Sequence, residues 1–136
     1  MNRISQISIS LVLSLSLPGI ALAEVPPPPA AQDPATMTEE QKLQRAKEIY
    51  FEAEDMASQE KWNEAVALYD QAYHLAPGKH GFAYKVGIAA WNAGMCPKAD
   101  QYLKHFVKYA DSEKAKNKEE RIPEAKRILG EIAVQG

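Results

Sequence analysis

The chain has 136 residues, 46% hydrophobic and 25% charged, with a formal net charge of −2. That balance suits one folded domain and excludes the basic surface a nucleic-acid binder needs. Cys96 is the only cysteine, so no internal disulfide can form and apolar packing must hold the fold together.

The first 23 residues, MNRISQISISLVLSLSLPGIALA, carry Arg3 as their single charge, then an apolar, serine-rich run, and close on Ala21-Leu22-Ala23. This layout predicts a cleavable secretory signal with Glu24 as the mature start, and hence a periplasmic or secreted protein. Polar interruptions and Pro18 make the run a poor membrane span. Residues 24–37, EVPPPPAAQDPATM, contain five prolines, which fix φ and remove backbone donors. They predict an extended, unpacked tether.

From Thr38 the pattern becomes helical. Thr38-Glu39-Glu40-Gln41 fits a capping box, and Leu43, Ala46, Ile49, Tyr50, Ala53, Met56 and Ala57 keep three-four spacing up to Ser58. A second helix is predicted from an Asn63 cap to Leu75, closed by Pro77-Gly78; a third covers Lys79–Ala93 and stops at Gly94. A fourth begins at Pro97 and ends near Ala110, and a charged connection, Asp111–Lys118, follows. The last helix aligns Ile122, Ala125, Ile128, Leu129 and Ile132, with Pro123 either in its first turn or at a kink. No segment alternates at period two, so the fold class is all-α.

The middle of the chain repeats itself at a shift of 34 residues. Ala53 falls on Gly87, Trp62 on Cys96, Ala65 on Ala99, Tyr69 on Leu103 and Leu75 on Tyr109. Small positions match small ones, and the breaks coincide. Ala53 and Ala65 are placed where paired helices approach most closely, Ala72 faces the next pair and Tyr69 fills the gap. Gly87, Ala99 and Leu103 do the same in the second unit. Phe106 stands where the pattern calls for alanine, so something other than a third such unit must pack there.

The period and the small-residue stripe resemble the tetratricopeptide repeat, a helix–turn–helix unit of about 34 residues. The resemblance covers Ala46–Pro77 and His80–Asp111, although the tryptophan-leucine pair usual early in the first helix is missing. With its signal and proline-rich lead, the chain looks like short exported tetratricopeptide proteins of Gram-negative bacteria. That implies repeats at about 46–79 and 80–113, a capping helix at about 119–133 laid over Leu103 and Phe106, and a domain spanning 38–134.

The resemblance also implies a concave face lined by the first helix of each repeat. It would be a groove for a peptide or helix of another envelope protein, with Tyr50, Glu54, Tyr84, Ile88, Trp91 and Asn92 as contacts and Lys47, Ala57 and Ser58 beside them. The tyrosines and Trp91 also read as core packing, which helical aromatic stripes more often are. The lysine-asparagine clamp some members use for a C-terminal carboxylate is not present, since Tyr50 and Glu54 occupy those positions. A self-associating building block of an envelope assembly is the alternative, with Leu43, Tyr50 and Phe51 at the uncapped end.

Catalysis is not expected. No nucleophile-base pair or phosphate loop occurs at usable spacing, and no cofactor is implied. His74, His80 and His105 put no two histidines on one helical turn, which argues against a metal site. Cys96 reads as a small packed residue.

Overall fold

The structure, a computed structural model, describes residues 33–110 and 117–135. The signal segment, most of the proline-rich tether and the connection 111–116 lie outside the described residues. Within them the protein is all-helical. A 3-10 turn at Pro34–Thr36 precedes α1 (Glu39–Ser58), α2 (Trp62–Leu75), α3 (His80–Asn92), α4 (Cys96–Tyr109) and α5 (Lys118–Gln135). The 3-10 turn is a departure from the fully extended tether. Asp33 caps it by accepting from the Ala35 amide at 2.9 Å, which holds the chain in a turn just before the domain.

α1 starts where its chemistry says. The Gln41 amide donates to Thr38 Oγ1 at 3.2 Å and the Thr38 amide donates to Gln41 Oε1 at 2.8 Å, so two otherwise orphaned donors are satisfied reciprocally. α2 begins two residues earlier than an Asn63 cap would have it. Its first acceptor is the Lys61 carbonyl, bonded by the Ala65 amide at 2.9 Å, and no side chain caps it.

The reason lies in the preceding turn. Glu60 sits at φ 58°, the Lys61 amide reaches back to Met56 O at 3.0 Å, and the Glu60 amide bonds Ala57 O at 3.0 Å. Between α3 and α4 the same turn recurs, 34 residues on. Gly94 takes φ 73°, Met95 N bonds Ala90 O at 2.8 Å and Gly94 N bonds Trp91 O at 3.0 Å. A left-handed residue with a bond closing back five residues is the Schellman way to end a helix. α2 and α4 begin and end at positions 34 apart, and so do the ends of α1 and α3.

From α1 to α4, consecutive helices run antiparallel because three- or four-residue connections leave no other path. Side-chain contacts then sort them into two layers. Tyr50 of α1 stacks on Phe82 of α3, and the Tyr84 hydroxyl of α3 donates to Glu124 of α5, so α1, α3 and α5 lie side by side. Asp70 of α2 accepts from Lys98 Nζ at 2.7 Å and from the Tyr102 hydroxyl, joining α2 to α4 in the second layer.

Between the layers runs the core. Ala53, Ala65, Ala72 and Ala99 are fully buried, and Gly87 is buried with them. Gly87 lies directly on Leu103: a Cβ there would stand 2.5 Å from Leu103 Cδ2. Small residues on this stripe let the layers close to backbone contact, and Tyr69, Leu103 and Phe106 fill the spaces they leave. Each such large apolar side chain contributes roughly 1.5–3 kcal/mol on burial.

At the far end α5 packs on α4 and α3, with Ala125 and Ile128 buried and Ile122, Leu129 and Ile132 half-buried against the core. Phe106 is wholly buried beneath this helix and its ring lies 5.0 Å from that of Tyr84. Pro123 is the sixth residue of α5, past the first turn, and the helix runs through it. Lacking a donor, it leaves the Glu119 carbonyl without its usual partner.

Candidate functional site

A surface hollow of about 270 Å³ opens on the layer formed by α1 and α3, with α2 as its floor. It is lined by Glu54, Ala57 and Ser58, by Trp62 and Tyr69 of α2, and by Lys85, Ile88 and Ala89. The local sequence makes it. Ala57 and Ala89 are too small to fill the space between neighbouring helices, while Trp62 and Ile88 supply apolar walls.

Charge in the hollow is organised around Glu54. Its carboxylate accepts from Lys85 Nζ at 2.7 Å and from the Tyr69 hydroxyl, a residue 98% buried. Partial burial alone would raise the Glu54 pKa; the hydrogen bond from Lys85, then that from Tyr69, outweighs it and the value is lowered. The same burial, with the Glu54 charge beside it, pushes the Tyr50 hydroxyl up to about 12. Tyr69 is shifted upward too, first by burial and then by its bond to Glu54. Both phenols therefore stay protonated and act as donors. Lys85 lies 5.8 Å from the Tyr50 ring centroid and 5.9 Å from that of Tyr69, a cation resting across two aromatic faces.

The six residues singled out from sequence fall into distinct environments. Glu54 and Ile88 line the hollow. Tyr50 is half-buried next to it, stacked on Phe82 at 5.3 Å and tilted on Tyr69 at 5.6 Å. Tyr84 is only 7% exposed and belongs to the core, its hydroxyl given to Glu124 and its ring covered by the Arg121 guanidinium at 5.0 Å. Trp91 is half-buried against the core and is not among the hollow's lining residues. Asn92 is exposed, and its side-chain amide donates to Ile88 O at 3.0 Å, back onto its own helix. Lys47, at the other end of α1, lines a separate shallow depression with Glu40, Gln41, Leu43 and Gln44.

Sequence reasoning placed Tyr69 only as a gap-filler and passed over Trp62 and Arg121. The 34-residue shift puts Lys85 level with Phe51, one turn from Glu54. That was a usable hint that the two charges meet across the layer.

Among the described residues no group of three or more His, Cys, Asp and Glu side chains is placed to hold a metal ion, and Cys96 is half-buried at the start of α4. Nor is any helix there long and apolar enough to cross a membrane. No protein-family model, no curated protein and no solved structure matches the chain.

Proposed function

We propose that this protein is an exported, non-catalytic interaction module of the tetratricopeptide kind, which binds a segment of another cell-envelope protein on the face made by α1 and α3. The hollow around Glu54, Lys85 and Ile88 carries the reading. Its volume, about 270 Å³, lies just below the range of small-molecule pockets and suits one large apolar side chain of a partner. Ala57, Trp62, Ile88 and Ala89 would surround that side chain, while the Lys85–Glu54 pair and exposed Ser58 at the edge are placed to meet polar groups beside it. The repeated turn at Glu60 and Gly94 supports a tandem of two equivalent hairpins capped by α5. The leader supports export, and the prolines after it suit a spacer between the module and its attachment.

A photo-reactive amino acid at Ser58 in cells is expected to give one discrete adduct with another envelope protein. Lys85→Glu, which sets like charges together in the hollow, should abolish it. The same adduct from Gln101, exposed on α4 in the other layer, or its persistence in Lys85→Glu, would reject the groove.

Phe51 favours the second reading, a self-associating building block, because it is 70% exposed on α1. Sedimentation equilibrium decides between them: the block requires a defined oligomer without added partner, and one that Phe51→Ser dissociates.

A further inference from the structure

The fold brings together two histidines that the sequence keeps 25 residues apart. His80, the first residue of α3, and His105, in the third turn of α4, approach with Nδ1 and Nε2 3.3 Å from each other. Aromatic rings hold both imidazoles in place. His80 stacks on Tyr109 with an interplanar angle of 19°, while His105 lies 4.8 Å from Tyr109 and 5.7 Å from Tyr73. Tyr73 Oη stands 2.7 Å from the same His105 Nε2.

That nitrogen offers one proton or one lone pair, and its short contact is the one to Tyr73. The imidazole–imidazole approach at 3.3 Å is a long hydrogen bond whose donor the tautomers set. The same spacing also matches a metal-ligand geometry. Two nitrogens each about 2.05 Å from a zinc ion and subtending the tetrahedral angle stand about 3.3–3.4 Å apart. The right-angled edge of a square-planar copper(II) or nickel(II) site is shorter.

We infer that His80 Nδ1 and His105 Nε2 form two corners of a tetrahedral site for a zinc ion, with water in the other corners. Zinc would replace the Tyr73 hydroxyl at the Nε2 lone pair, and the hydroxyl, one contact away, is placed to bond a zinc-bound water. Both rings are half-buried, so water reaches them. The bound ion would pin the first turn of α3 to α4. The site lies between α3 and α4 next to Tyr73 and stands independently of the binding role proposed above.

The chain carries its own control. His74 is exposed on α2, and its Nδ1 lies 2.8 Å from the Asp70 carbonyl and 3.2 Å from its carboxylate, away from the pair. Calorimetric titration of the purified full chain with zinc chloride at pH 7.5 is expected to show saturable binding of one ion. His80→Gln and His105→Gln should each weaken it at least tenfold, and His74→Gln should change it less than twofold. Far-UV circular dichroism of each variant establishes that the helices persist. Two-dimensional imidazole nitrogen spectra of the native chain supply a reading that needs no substitution: zinc should shift His80 Nδ1 and His105 Nε2 together and leave His74 in place. Absence of saturable binding, equal weakening in His74→Gln, or shifts confined to His74 would overturn the site.

Discussion

Gly87→Ala sets two physical effects of opposite sign against each other. On helix propensity alone, alanine in the middle of α3 should stabilise the protein by about 1 kcal/mol. The packing says otherwise. The new methyl would lie 2.5 Å from Leu103 Cδ2 and 2.6 Å from Cγ, and 3.3 Å from the Leu103 amide nitrogen. Carbon atoms rest at about 3.5–4.0 Å, so the first contacts are roughly 1 Å too short. Leu103 is wholly buried, so its side chain can move aside only by displacing core neighbours, and its backbone cannot yield without moving α4 away from α3. Overpacking of this kind costs about 1–3 kcal/mol and more where the backbone is involved. After the propensity gain we expect a net loss of about 1–2 kcal/mol, a fall in Tm of roughly 5–15 °C for a domain this size. Urea unfolding followed at 222 nm measures it directly. Leu103→Ala removes the obstructing atoms at a cost of about 2–5 kcal/mol by itself, yet the double variant should be about 1 kcal/mol more stable than the sum of the singles. If Gly87→Ala matches or exceeds the native chain in stability, the seam is looser than described and the argument fails.

The left-handed turn residues give a paired test. Glu60→Gly should stabilise by about 0.5–1 kcal/mol, because only glycine takes φ 58° without a side-chain penalty, whereas Gly94→Ala should cost about 1 kcal/mol at φ 73°. Thermal melts that show the same sign for both would contradict the equivalence of the two turns. Thr38→Ala should cost about 1 kcal/mol by opening the capping box, with faster amide exchange confined to the first turn of α1. For Glu54 the folded pKa lies below its ordinary 4.5, so the folded state binds fewer protons there than the unfolded one. Its stabilising contribution is complete above that pH and lost as the pH falls through the lowered value. Glu54→Gln should be the less stable at pH 7, with a shallower decline below pH 4.5, so that the two stability curves converge in acid. Curves that stay parallel would mean the Lys85 and Tyr69 bonds do not act on this carboxylate.

What the sequence determined was everything that depends on near neighbours. A helix is built from bonds four residues apart, so the Thr38-Gln41 box, the three-four spacing of Leu43 to Ala57 and the Gly94 stop were readable directly. The stripe of Ala53, Ala65, Ala72, Gly87 and Ala99 was readable as well, because a 34-residue shift exposes it without coordinates. Where the local signal was a preference, as with Asn63 against the Lys61 carbonyl, the backbone turn before it took over.

Only the tertiary structure decided which long side chains met. The bonds from Lys85 and Tyr69 to Glu54, from Tyr84 to Glu124 and from Tyr102 to Asp70 join residues 15 to 40 apart in the chain. Whether such groups touch depends on the rotation of each helix about its own axis and on the crossing between layers, and neither is written in any one helix. That is why Tyr84 and Trp91 read both as groove and, with more weight, as core until the layers were assembled. It is also why a rule about histidines on one helical turn could not see His80 and His105 converge from two helices.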